Sequence, residues 1–153
     1  MKKRCLMIGA GGMARSWIRR FLPNFSDRIE IVGLVDIDPG VLEEQSDFLG
    51  LAETARFTDY KVAFAKVAAD FCIIVTPPWV HRGPIEAACR QRMHILTEKP
   101  IADSWADVKA IYRAVRSARL KCTVVQNYRY DPAMYTFREL LRCGHLGRLN
   151  YIM

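Results

Sequence analysis

Short apolar runs rich in β-branched residues alternate along the chain with segments whose apolar positions recur at helical spacing. A strand buried on both faces needs apolar side chains at every position, whereas a surface helix buries one stripe. Strands are therefore predicted at Arg4 to Gly9, Ile29 to Asp36, Phe71 to Val75, His94 to Thr97 and Lys121 to Gln126, with a short one over 55–57. Helices are predicted at Met13 to Leu22, Pro39 to Phe48, Asp59 to Ala68, Val80 to Arg92 and Ser104 to Arg119. Asp38 caps the second of these, with Pro39 in its first turn and Gly50 beyond its end. Asp103 or Ser104 caps the fifth. The expected inward stripes are Val62, Phe64, Ala65 and Val67 in the third helix, and Val108, Ile111, Tyr112 and Val115 in the fifth. Regular alternation of strand and helix implies an α/β fold of Rossmann type, doubly wound, with a mainly parallel sheet and helices on both faces.

The rhythm changes after Gln126. Asn127 to Asp131 is aromatic and polar, Pro132 opens a helix to Cys143, and Gly144 and Gly147 follow it. Leu149 to Met153 reads as the start of another strand. The expected division is a dinucleotide-binding domain over 1–126 and, over 127–153, a crossover segment entering a second α/β domain that the chain lacks.

Composition narrows the class. Of 153 residues, 51% are apolar and 25% charged, ordinary for a globular protein, and no apolar run reaches membrane-span length. Lys2, Lys3 and Arg4 before Cys5 to Ile8 superficially resemble a leader, but glycines and Arg15 interrupt the apolar stretch, which reads better as a strand and a glycine turn. The five cysteines form no CxxC pair, so free thiols in the reducing cytoplasm are expected rather than disulfides or zinc ligands. Histidines 81, 94 and 145 are too scattered for a metal site. The net charge of +7 belongs entirely to residues 108–153, with 9 Lys/Arg against 2 Asp/Glu; residues 1–107 carry 14 of each. No nucleic-acid motif accompanies that charge, which is expected to coat a solvated helix or line a cleft for an anionic substrate or cofactor.

Gly9-Ala10-Gly11-Gly12-Met13-Ala14 is a G-x-G-x-x-A between a strand and a helix. Gly9 permits a tight turn, Gly11 permits a pyrophosphate to approach the backbone, and Ala14 permits close helix–strand packing. The amides near Gly12 and Met13 offer the positive end of the helix to phosphates. Alone, such a loop also fits a methyltransferase. Asp36, 22 residues after Ala14 and at a strand end, suits the adenosine ribose hydroxyls and repels a 2′-phosphate, favouring NAD(H) while leaving NADP(H) open. Thr76-Pro77-Pro78 follows the central strand, where Thr76, Pro77 and His81 are placed to meet the nicotinamide half; His81 equally reads as the start of the next helix. Glu98-Lys99-Pro100 follows another strand. Its lysine suits a substrate hydroxyl at the hydride-transfer position, and Glu98 suits orienting it. A plain surface Glu–Lys pair fits the same residues.

These four features together, followed by Gln126 to Pro132 and Gly144-His145-Leu146-Gly147, resemble the glucose-fructose oxidoreductase/inositol dehydrogenase/rhizopine catabolism (Gfo/Idh/MocA) family. The resemblance implies an oxidoreductase acting with a nicotinamide cofactor on a sugar, cyclitol or polyol. It implies Lys99 as a catalytic residue, with Asn127, Tyr128 and Arg129 on the substrate side, and oligomers built through a second domain that also carries further catalytic residues. A chain limited to this half is expected to be inactive alone and sticky at Tyr128, Tyr130, Phe137, Leu140, Leu141 and Leu146. A non-catalytic, NAD(P)-responsive regulatory or interaction protein of the same fold is the alternative.

Overall fold

The computed structural model describes residues 1–148. Six parallel strands form one sheet: β1 (Lys3–Ile8), β2 (Ile29–Val35), β3 (Arg56–Phe57), β4 (Phe71–Ile74), β5 (His94–Thr97) and β6 (Cys122–Val124). Their spatial order is β3-β2-β1-β4-β5-β6. The chain first winds from β1 toward β3, then returns to build outward from β1 toward β6. Neighbouring loops therefore leave β1 and β4 in opposite directions and open a crevice beyond their carboxyl ends. The apparent leader is the central strand β1, whose Cys5, Leu6 and Met7 are fully buried.

Helices cover both faces. On one side, α3 (Tyr60–Lys66), α4 (Arg82–Arg90) and α5 (Trp105–Ala118) pack on Leu6, Ile8, Cys72, Ile74 and Ile95. On the other lie α1 (Gly12–Ser16), its continuation and α2 (Pro39–Phe48), over Cys5, Met7, Leu34 and Ile73. Residue alternation along β1 sends Cys5 and Met7 to one core and Leu6 and Ile8 to the other.

Three local expectations are corrected. The first helix does not run regularly to Leu22: after Ser16 it widens into a π turn (Trp17–Phe21), then tightens into a 3-10 turn (Leu22–Phe25) that accommodates Pro23. In α3 the inward positions are Tyr60, Ala63 and Phe64, with Val67 just beyond its end, not Val62 and Ala65, which are exposed. Asp59 caps that helix through the Lys61 amide at 2.8 Å, and Tyr60 meets Phe64 edge-on, which sets the phase. In α5, Ile111 and Val115 face the core but Tyr112 faces outward. Its ring lies under the Arg116 guanidinium and its hydroxyl accepts a hydrogen bond from it at 3.0 Å. Ser104 is the α5 cap; its hydroxyl oxygen accepts from the Asp107 amide at 3.1 Å.

Beyond β6, Asn127–Tyr130 forms a 3-10 turn and α6 spans Pro132–Arg142 with no buried residue. The strand expected from Leu149 lies outside the described residues. Among the described residues no helix is long and apolar enough to cross a membrane.

Candidate functional site

A cavity of about 740 Å³ opens at the crevice, lined by the glycine loop and by residues that follow β2, β3, β4 and β5. Its floor is a turn that only glycine can make. Gly9 has φ +100°, and a Cβ there would collide with the Val75 carbonyl. The Gly9 amide donates to Val35 O at 2.7 Å, and Val75 N donates to Ile8 O at 2.8 Å, tying the ends of β1, β2 and β4 together. Gly11 is uncrowded: a Cβ would meet nothing closer than Val41 at 3.8 Å. Packing among the described residues therefore does not require a glycine there. Ala14 is fully buried beneath the loop, packed with Met7 and Ile18.

No side chain caps the start of α1, so the amides of its first turn face the cavity unpaired. Gly11, Gly12 and Met13 line the wall there. Asp36 lies directly against this turn. Its Oδ2 accepts from Ala10 N at 2.7 Å and Gly11 N at 3.1 Å, while Oδ1 accepts from Asp38 N at 3.0 Å. The carboxylate is thus fixed by three amides at the cavity wall. Ile37, Thr58, Asp59 and Tyr60 also line this end; sequence reasoning missed them, because no spacing rule marks the residues beyond Asp36 or those after β3.

At the other end, Thr76 and Pro77 follow β4, and Glu98 and Lys99 follow β5. Thr76 Oγ1 is buried with no partner among the described residues, an omission that costs roughly 1–3 kcal/mol unless a ligand meets it. Glu98 meets the Lys99 backbone, not its ammonium: one carboxylate oxygen accepts from the Lys99 amide at 3.1 Å and the other from the Trp17 indole at 2.9 Å. Trp17 lies in the π turn after α1, so the glycine-loop helix and the strand carrying Lys99 are joined by one side-chain bridge. No ion pair holds the Lys99 ammonium among the described residues, and the Lys99–Pro100 peptide is cis.

His81 is corrected as a contact residue. It is fully buried, away from the cavity lining, with both ring nitrogens turned to main-chain oxygens. Asn127, Tyr128 and Arg129 follow β6, next to the β5 edge that carries Lys99, but they are exposed and do not line the cavity. No basic residue of 108–148 lines this cavity, and those of α5 lie on exposed surface. All five cysteines are free thiols. Burial pushes the Cys5 and Cys72 thiols well up, and that of Cys122 to about 11. No group of His, Cys, Asp and Glu among the described residues could hold a metal ion.

Residues fit for a dinucleotide are therefore present on geometric grounds: a bare helix start, a glycine with room beside it, a fixed carboxylate and an orphaned hydroxyl at the opposite end. Comparisons with known proteins agree. The model of the oxidoreductase family, NAD-binding Rossmann fold, matches residues 3–126. An uncharacterized protein, y4oX, of Sinorhizobium fredii is 42% identical over 154 residues, covering 99% of this chain and 43% of that protein. D-apiose dehydrogenase of Rhizobium rhizogenes is 29% identical over 117 residues, covering 76% of this chain and 33% of the enzyme. Among solved structures, the WlbA dehydrogenase of Bordetella pertussis, in complex with NADH and UDP-GlcNAcA, superposes with a TM-score of 0.87 at 26% identity, covering 97% of this chain and 44% of that one. The chain thus spans less than half the length of these relatives.

Proposed function

Because the chain belongs to the Gfo/Idh/MocA oxidoreductase family, whose NAD-binding Rossmann domain it carries, we propose that its cavity holds NAD(H) for hydride transfer to or from a sugar, cyclitol or polyol-like alcohol. The observation that carries this reading is the meeting of Asp36 with the glycine turn: one carboxylate oxygen bonds the Gly11 amide at 3.1 Å, beside the bare start of α1. The amides of Gly12 and Met13 hold the pyrophosphate there. Asp36 accepts the ribose hydroxyls and excludes a 2′-phosphate by charge. Thr76 and Pro77 bound the nicotinamide end, where Thr76 Oγ1 gains the partner it lacks.

The bound nicotinamide supplies the hydride acceptor or donor. Lys99 supplies the proton side: its Nζ donates a hydrogen bond to the reacting oxygen and stabilises negative charge developing on it. Glu98 fixes the Lys99 main chain through the amide bond described above. Asn127, Tyr128 and Arg129 stand on the substrate side. The described residues form the cofactor wall of a site, and this chain by itself binds cofactor without turning over substrate. The sugar-acting relative D-apiose dehydrogenase supports the substrate class. The free thiols suit the cytoplasm, and we assign the chain there, as a homo-oligomer.

Parallel calorimetric titrations with NADH, NADPH and adenosylmethionine test the reading. NADH is expected to bind most tightly, and Asp36→Ser to narrow the gap to NADPH. A preference for NADPH in the unsubstituted chain overturns the role of Asp36, and a preference for adenosylmethionine overturns the oxidoreductase reading. Steady-state oxidation of a sugar or inositol by the purified chain contradicts the claim of inactivity.

A further inference from the structure

His81 is fully buried, one of four polar residues in the core among the described residues. It stands just before α4, and its two nitrogens reach the two segments that form the nicotinamide end of the cavity. Nε2 lies 2.8 Å from Thr76 O, in the segment after β4. Nδ1 lies 3.2 Å from Ile101 O, two residues beyond Lys99, and 3.5 Å from Thr97 Oγ1, two residues before it. We propose that His81 is a positioning residue that ties the Thr76–Pro77 segment to the Lys99 segment and so sets the gap between the nicotinamide wall and the lysine. The proposal rests on the cofactor reading above.

The donor count supports it. A carbonyl oxygen only accepts, and a neutral imidazole carries one hydrogen. The shorter contact takes it, so Nε2–H donates to Thr76 O. Nδ1 is then free to accept the Thr97 hydroxyl at 3.5 Å, in competition with Glu98 O at 3.4 Å; a ring carrying both hydrogens would instead donate from Nδ1 to Ile101 O. In either state the ring bonds one segment through Nε2 and the other through Nδ1. No other side chain that bonds the Thr76 or Ile101 main-chain oxygen is found among the described residues. The main-chain bond from Glu98 N to Ile74 O, at 2.9 Å, joins the two strands just before the segments diverge, and the ring takes over where the sheet stops.

Three substitutions separate the arms. His81→Gln extends an amide toward Thr76 O alone, His81→Asn toward the Nδ1 side alone, and His81→Leu keeps the volume and removes both. Ile111→Ala, in α5, serves as the control: it truncates the core on which Ile101 packs without removing a hydrogen bond to either segment. In the cofactor-free chain, His81→Leu is expected to raise amide exchange about tenfold at Thr76 and over Glu98 to Ile101, the effect of losing one hydrogen bond to each segment. His81→Gln is expected to leave the Thr76 segment quiet and loosen only the second. NADH affinity is expected to fall about tenfold in His81→Leu, to be partly restored in the Gln and Asn variants, and to stay within about twofold in Ile111→Ala. Nitrogen NMR of the ring should show a protonated Nε2.

Uniform exchange across the sheet in all variants, an NADH loss in Ile111→Ala equal to that in His81→Leu, or a bare Nε2 overturns the proposal. Should His81→Leu fail to fold, the Gln and Asn variants carry the same contrast. If the unsubstituted chain binds no NADH, the cofactor reading fails, and the local exchange pattern still decides whether the ring braces the two segments.

Discussion

Helices α2 and α6 begin alike and end in different surroundings. Each opens with Asp-Pro. Asp38 accepts from the amides of Gly40 and Val41 at 2.9 and 3.1 Å; Asp131 accepts from those of Ala133 and Met134 at 2.9 and 3.2 Å. Yet α2 buries Leu42, Gln45 and Ser46 against the sheet, while α6 buries nothing. Caps and proline placement specify that a helix forms; what the helix is for depends on whether a second surface lies within reach. In α6 the side chains of Met134, Tyr135 and Phe137 stand about half exposed.

The largest effects should appear in thiol chemistry. Cys143, at the end of α6, is exposed, whereas Cys5 and Cys72 lie in the core beneath the helices. Ellman's reagent is expected to label Cys143 at once and the core pair at least about a thousandfold more slowly, since their labelling waits for an opening of roughly 4 kcal/mol. Comparable rates would show that the sheet core opens as readily as α6.

Core truncation comes next. Leu42→Ala should cost about 2–5 kcal/mol in urea unfolding, and Phe137→Ala less than about 0.5 kcal/mol. Polar replacement, Phe137→Ser, should instead reduce any self-association seen in light scattering if the exposed apolar stripe of α6 carries it. An unchanged association state would detach the oligomer from α6.

The caps give a smaller and sharper contrast. Asp38→Ala should lower global stability by about 1 kcal/mol, whereas Asp131→Ala should speed amide exchange in α6 and leave the global transition in place. The smallest effect concerns pH. The Asp107 carboxyl is held below the usual range first by the Arg82 guanidinium and then by the Ser104 hydroxyl. Its contribution is present at pH values above about 4 and is lost as pH falls toward its lowered value. Arg82→Gln should flatten that part of the acid unfolding curve.

This contrast also explains what could be read in advance. The alternation of strand and helix and the site's cofactor end were legible because they depend on features a chain must carry locally: an apolar run at β4, a glycine at the φ +100° of Gly9, a carboxylate at the end of β2. The phases of α3 and α5 were not, since Tyr60 and Tyr112 satisfy the same periodicity facing in or out, and neighbours decide. His81 was misplaced for a related reason. A histidine near a strand end looks the same in sequence whether it faces a ligand or two carbonyl oxygens, and only the packing of α4 on the Ile101 segment distinguishes them. Trp17 carried no signal at all, because its partner Glu98 lies 81 positions away.

The central claim is that the cofactor sits on the glycine turn and reaches across the crevice to Lys99. Amide shift mapping during an NADH titration tests it most directly. Shifts are expected at Gly11, Gly12, Met13, Asp36, Thr76 and Lys99, with α6 silent from Ala133 onward. Saturable shifts confined to α6 or to the amino ends of the strands, with the glycine turn unmoved, would contradict the account.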